Sequence, residues 1–313
     1  MHQKSVATPP ESPCELPTPH GSKLRTLLSN PKLPEADRPL IGEALQRYSD
    51  WLSALSALPY GEKFIISDAI NLLNDYRFYL DINVIFDSSN DFLYRQKGQL
   101  KLENSVIEEF LPHLVVHYMP SLCETNAIGP TQTFSSLYFD SKSPGNLTSI
   151  KKRLKAQDFA IYQKVQILVT FLHTNISHKI EVSVGHLCAE CKTNLDKTMF
   201  QEAASTALDV KGTLPSAKYL LLCEWLDMTP ISTAGFAIDE VLILRKARRL
   251  QADVRQSFNT AAGRQKGRDL YVKHLLEHPF STDVFARFLW HIKNVFHPDS
   301  PVETSGVLEQ GYF

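Results

Sequence analysis

The chain has 313 residues, 43% hydrophobic, 10% aromatic and 21% charged, which supplies a sizeable core and excludes disordered or collagen-like classes. Lys and Arg total 33 against 34 Asp and Glu, and the net charge of -1 excludes a coat of nucleic acid held by bulk charge while allowing a local basic groove. No apolar run approaches the roughly 18 residues of a membrane span, and Met1 to His20 holds no signal-peptide core, so a cytoplasmic protein without a membrane partner is expected.

Residues 1–22 carry five prolines without hydrophobic periodicity and read as a Pro-rich disordered tail. From Leu40 to about Leu80, apolar residues at helical spacing (Ile41, Leu45, Tyr48, Leu52, then Ala69, Leu72, Leu73, Tyr76) predict a helical layer over 23–90. A further helix is predicted from Ser105 to Tyr118, kinked or restarted at Pro112. After the Gly/Pro/Ser-rich stretch from Ser141 to Asn146 the pattern turns to strands at Asp158–Tyr162, Val165–Phe171 and Ile180–Lys192, with a loop over His173–Lys179. A helix from Asp196 to Val210, capped by Asn194, precedes two short buried strands, Lys218–Trp225 and Ile238–Leu244. Helical patterns then run from Arg245 to a polar tail after His297. Strands in the middle with helices from both ends predict an α/β architecture, a central mixed sheet flanked by helices, with the sheet domain over 91–250 and a C-terminal helical region over 251–313.

The five cysteines are too sparse for a disulfide scaffold and fit a reducing compartment, most of them as small buried hydrophobes. Cys188-x-x-Cys191, with His173, His178 and His186 nearby, invites a zinc reading. Strand alternation opposes it, because residues three apart point to opposite faces of a sheet.

The chemistry concentrates between Gln157 and Glu202. Asp158 opens one strand, and Glu190 and Lys192 project from one side of another while Cys191 points away. Two carboxylates and a lysine at a sheet end fit metal-assisted phosphodiester hydrolysis: Asp158 and Glu190 as ligands for Mg²⁺, Lys192 to position or help deprotonate water and to neutralise phosphate charge. The same residue types also make an ordinary strand-end ion pair.

Asp158 followed by Glu190-x-Lys192 resembles the PD-(D/E)xK nuclease core, with Gln157 where that pattern often carries proline. The run Ala189-Glu-Cys-Lys-Thr-Asn-Leu-Asp-Lys-Thr-Met-Phe-Gln-Glu-Ala203 is similar to restriction endonucleases cutting sites with a CTNAG core, whose best-known members pair two different subunits on CCTNAGC. Looser similarity extends through Tyr94-Arg-Gln-Lys-Gly-Gln99, Glu108-Glu-Phe-Leu-Pro112, Leu222-Cys-Glu-Trp-Leu-Asp-Met-Thr-Pro230 and Ile238-Asp-Glu-Val-Leu-Ile-Leu-Arg-Lys246. The resemblance implies a restriction-endonuclease-like sheet, Mg²⁺-dependent cleavage of double-stranded DNA at a short sequence to leave 5′-phosphate ends, and a restriction-modification role. It makes Asp158 and Glu190 metal ligands and Lys192 the catalytic lysine. Glu108 or Glu109 matches the place of an added helix glutamate, Glu108 being better placed on the apolar stripe, and Gln201 and Glu202 could surround the lysine.

For DNA, the basic run Lys151, Lys152, Arg153 and Lys155 sits just before Asp158, and nine basic residues from Arg245 to Lys273, including Arg248, Arg249 and Arg255, face only Asp253 and Asp269. Arg95, Gln96 and Lys97 have side chains suited to base edges. Cutting two strands with one active site per chain requires a second nuclease subunit, in a homodimer or a heterodimer. A structure-specific repair or mobile-element nuclease and a non-catalytic DNA-binding regulator are the competing readings.

Overall fold

The structure, a computed structural model, describes residues 13–143, 146–296 and 308; residues 1–12 of the expected tail and most of the polar C-terminus lie outside the described residues. Helices α1 (Pro19–Leu28), α2 (Arg38–Ser56) and α3 (Ile66–Tyr79) make the N-terminal layer, and α3 widens into a π-helical stretch over Leu80–Phe86. The tail is shorter than expected. α1 already begins at Pro19, a residue whose fixed φ suits a helix start, and His20 is fully buried. Cys14 and Cys123 are joined by a disulfide that ties the segment ahead of α1 to the turn after the fifth helix, where the cysteine count had suggested no bridge.

Helix α4 (Phe92–Leu100) leads into α5 (Asn104–Tyr118), which runs through Pro112 without restarting. Pro112 cannot donate to the carbonyl of Glu108, the cost of which burial of nearly the whole helix offsets. Five strands follow as one sheet in chain order: β1 (Ala127–Ser143), β2 (Asn146–Phe171), β3 (Ile176–Leu195), β4 (Lys218–Leu226) and β5 (Glu240–Arg248). β1–β2 and β2–β3 are antiparallel, β3–β4 and β4–β5 parallel, so the sheet is mixed as expected. Helix α6 (Lys197–Thr213) is the crossover from β3 to β4. Its N-cap is Asp196, whose side chain accepts from the Met199 amide, rather than Asn194. Helices α7 (Ala252–Ser257), α8 (Ala261–Glu277) and α9 (Thr282–Phe296) complete the order.

Three strand readings change. β1 was not foreseen, because its apolar residues do not alternate and bulges break its register with β2. Of the stretch from Ser141 to Asn146, Ser141 to Ser143 end β1 and Asn146 begins β2, and the residues between lie outside the described residues. The two strands read over 158–171 are one, and Asp158 sits inside it rather than at its start. The β2–β3 turn is only Leu172–Asn175, closed by Asn175 in the left-handed region at φ 54°.

The sheet separates two apolar layers. Phe159, Ile161, Ala189 and Cys191 pack toward α5 and α9, while Ala160, Cys188, Tyr219 and Cys223 pack toward α6. Cys188 and Cys191 are thus buried on opposite faces, which disposes of the zinc reading. Among the described residues no helix is long and apolar enough to cross a membrane.

Candidate nuclease site

The antiparallel ladder pairs Phe159 with Ala189 and Ala160 with Cys188, so the next step of the register turns Asp158 toward Glu190, Cys191 and Lys192. Asp158 Oδ2 accepts the Cys191 backbone N–H at 2.9 Å. Lys192 Nζ lies 2.6 Å from Glu190 Oε1, and the Tyr219 hydroxyl donates to Glu190 Oε2 at 3.2 Å. Strand alternation accounts for the Glu190–Lys192 pairing.

Helix α5 closes this group from the other side. Asn104, in its first turn, donates to the Cys191 carbonyl at 3.3 Å and accepts from Thr193 Oγ1 at 2.7 Å, which clamps the helix to β3. One turn on, Glu108 is 6% exposed and its Oε1 has no hydrogen-bond partner; Lys101 Nζ is 4.0 Å away. Burial, reinforced by the charge of Asp158, raises the Glu108 carboxyl to about 7. Asp158 is also raised, by burial first, with the Cys191 amide pulling the other way. Burial works against the Lys192 cation, but its bond to Glu190 and the neighbouring acids hold it above the ordinary lysine value. Lys192 is therefore a firm cation, suited to neutralising a phosphate and unsuited to removing a proton from water.

Glu109 does not join the group. Its carboxylate takes the Tyr48 hydroxyl at 2.6 Å and the backbone amides of His20 and Gly21 at 2.7 and 3.3 Å, on the side of α5 facing α1 and α2. Gln201 and Glu202 are exposed on α6, with Glu202 close enough to Lys192 to add to its field. Tyr219, Asn104 and Lys101 were missed. Tyr219 reaches Glu190 only through the β3–β4 register, which pairs Cys188 with Tyr219 and which no local pattern announces.

The expected DNA-contact residues divide. Arg245 is 5% exposed, on β5 rather than a helix; its guanidinium faces Glu224 and lies 3.8 Å over the Phe280 ring, so it serves the core. Arg264 is equally buried, donating to carbonyls of Phe86, Ser88, Asn90 and Phe258. These two leave the basic patch, because inward positions and uncapped chain ends claim their guanidiniums. Arg248 is exposed at the end of β5, and Arg249 and Arg255 share Asp227 Oδ2 at 3.3 and 3.8 Å. Lys97 pairs with Glu103 at 2.9 Å; Arg95 is exposed near Asp91, with Gln96 between them half-buried. In the β2 run, Lys151 pairs with Asp140, Lys152 donates to the Glu181 carbonyl, and Arg153 and Lys155 both face Asp209.

Among the described residues no three or more His, Cys, Asp or Glu side chains already converge as a metal cage. The donor chemistry nevertheless suits a hard divalent ion: carboxylate oxygens from Asp158 and Glu190, and a buried oxygen on Glu108 that accepts no hydrogen bond.

A mixed sheet between helical layers, with acids and a lysine gathered where β2 meets β3, defines a restriction-endonuclease-like fold. A chain of the native BbvCI A2B2 tetramer shares it, with a TM-score of 0.54 and 19% sequence identity over 88% of this chain and 93% of that one. None of the curated proteins matches. The family model of the Bpu10I restriction endonuclease matches residues 99–313, and the chain belongs to that family, making it a subunit of a type II site-specific deoxyribonuclease.

Proposed function

We propose that the chain hydrolyses phosphodiesters of double-stranded DNA at a short defined sequence, with Asp158, Glu190 and Glu108 holding Mg²⁺ and Lys192 serving the scissile phosphate. The observation that carries this reading is the approach of Glu108, whose buried Oε1 accepts no hydrogen bond and has only the Lys101 ammonium at 4.0 Å, to the Asp158–Glu190–Lys192 group. When bound, the ion supplies charge to polarise the phosphate and activate water. Lys192, held as a cation by Glu190, neutralises charge that builds on the phosphoryl oxygens. Tyr219, a hydroxyl kept protonated by burial and by Glu190, orients that carboxylate. Asp158 is fixed by the Cys191 amide, so its position does not depend on substrate. Arg249 and Arg255 at the edge of the sheet, with the β2 lysines, contact DNA phosphates without reading sequence.

One such group per chain cleaves one strand, so a second nuclease subunit supplies the other cut. The A2B2 stoichiometry of the matched structure supports two distinct subunits here. The cytoplasm of a prokaryote is the compartment where such an enzyme meets foreign DNA. Plasmid digestion tests the reading. Discrete fragments with Mg²⁺ that vanish with EDTA and with Lys192→Ala are expected, from the chain alone or after addition of extract from its host. Binding without cleavage under every divalent ion would refute it, and nicking confined to branched DNA would make it a repair nuclease.

A further inference from the structure

Lys101 stands where the backbone asks for glycine. It closes α4 in the left-handed region, at φ 52° and ψ 32°, where a side chain crowds the backbone and helix ends favour glycine. A glycine is present three residues earlier, at Gly98, inside the helix, where a Cβ would meet nothing within 4 Å. The chain thus carries lysine where glycine would fit best and glycine where none is required. Complementing the helix dipole does not account for this, because Lys97 already supplies a cation to the last turn of α4.

The position of Lys101 does account for it. Its amide donates to the Gly98 carbonyl at 3.2 Å and its carbonyl accepts from the Ser105 amide at 3.1 Å, so the backbone is held between α4 and α5. From there Nζ comes to 4.0 Å from Glu108 Oε1, and its charge also acts on Asp158. That separation is too long for a hydrogen bond, and the lysine side chain is 51% exposed. A completed ion pair would lower the Glu108 carboxyl, yet burial and Asp158 keep it raised. Lys192, by contrast, is bound to Glu190 at 2.6 Å and only 24% exposed. Among the described residues, then, the carboxylate group has one cation already committed and a second nearer the solvent with no hydrogen bond on its ammonium. Lys23, exposed on α1, adds positive charge near enough to act on Glu108.

Resting on the nuclease reading above, we propose that Lys101 binds a backbone phosphate of the DNA, the one adjoining the scissile phosphate on the cut strand, and so fixes that strand over the carboxylates. Lys192 stays at Glu190 and serves the scissile phosphate; Lys101, held by the end of a helix rather than by a carboxylate, takes the next one. The contact carries no sequence information. It sets where the strand lies, and through that how fast it is cut.

The left-handed backbone makes the test clean. Lys101→Gly and Lys101→Asn both suit that conformation, so each should melt no lower than wild type. On the duplex that the wild type cuts, each is expected to cleave roughly 10- to 100-fold more slowly, the scale of a misplaced substrate, and to lower the salt slope of binding in Ca²⁺ by about 0.9. Lys101→Arg, which keeps the charge, should restore most of the rate. Replacing the cut-strand phosphates one at a time with neutral methylphosphonate should then find one position, beside the cut, that weakens wild-type binding several-fold and leaves both neutral variants unchanged. Neutral variants that bind and cut like wild type overturn the proposal, as does a scan in which every replacement affects wild type and variants alike. A wild type that cuts no DNA, alone or with its second subunit, overturns the nuclease reading and this contact with it, whereas the first two outcomes leave that reading standing.

Discussion

Glu108 offers the most direct measure of what burying a carboxyl beside Asp158 costs. Its carboxyl is raised from 4.5 to about 7 because burial penalises the charge and Asp158 adds repulsion. The folded form therefore holds a proton that the unfolded chain has released between those values. Below 4.5 both states are protonated and Glu108→Gln should change little; as pH rises from 4.5 toward 7 the unfolded chain gains stability by ionising while the folded carboxyl stays protonated, and above 7 both are ionised and the penalty is complete. At about 1.4 kcal/mol per unit the full difference is about 3 kcal/mol in favour of the glutamine variant. Urea unfolding of both proteins in EDTA, from pH 5 to 8.5, reads it directly as a growing gap in midpoint. Adding Mg²⁺ at pH 8 should narrow the gap, since an ion held by three native carboxylates stabilises the wild type more than a variant that keeps only Asp158 and Glu190. A gap that does not vary with pH, or one that Mg²⁺ does not narrow, would refute the idea that this side chain is a buried ligand waiting for a cation.

Asp158→Asn and Lys192→Ala should each slow cleavage by roughly 100- to 1,000-fold, the scale of losing one charge-stabilising group, while filter binding in Ca²⁺ stays within a few-fold of wild type. Arg249→Ala and Arg255→Ala should weaken DNA binding equally on cognate and random duplexes and each lower the salt slope by about 0.9, whereas Arg245→Ala should cost about 3–5 kcal/mol of folding free energy by leaving buried Asp81 and Glu224 with Arg77 as their one remaining guanidinium. Burial depresses His20 to about 3 and His113 to about 4, so the folded state refuses protons that the unfolded chain accepts below 6.5. Each histidine should therefore remove about 1.4 kcal/mol of stability per pH unit as pH falls from 6.5 toward 4, visible as a steep drop in thermal midpoint.

Much of this was legible from the chain because period and polarity agreed. β4 reads as an apolar run from Tyr219 to Cys223 and is buried on both faces, and the α5 stripe survives Pro112 because nearly every residue around it is buried. Alternation alone put Glu190 and Lys192 side by side. What stayed hidden depends on register or on burial of charge. Arg245 looks like a phosphate contact until β5 places it inward against Glu224, itself 1% exposed in an otherwise apolar strand. Arg77, Asp81, Glu224 and Arg245 form one buried ionic group spanning 168 positions of sequence from first to last. No local window could pair them. His20 was lost in a proline-rich stretch, since its partners Ser105 and Tyr76 lie far along the chain.

The adjacent carboxylates Glu108 and Glu109 show how the outer helices govern the chemistry. Neighbours on a helix point about 100° apart, so fixing one aims the other. Glu109 is fixed by three donors from α1 and α2, and the approach that permits this is close: a Cβ on Gly21 would lie 2.4 Å from the Tyr48 hydroxyl. Asn104 pins the start of the same helix to β3. With rotation set by α1 and position set by the sheet, Glu108 has one direction left, toward Asp158, where its carboxyl meets charge and little water. Pro112 leaves the Glu108 carbonyl without its helical donor, which removes one backbone constraint at that residue. The helical layer is thus part of the site's construction, and the disulfide from Cys14 to Cys123 fastens that layer to the end of the helix carrying Glu108.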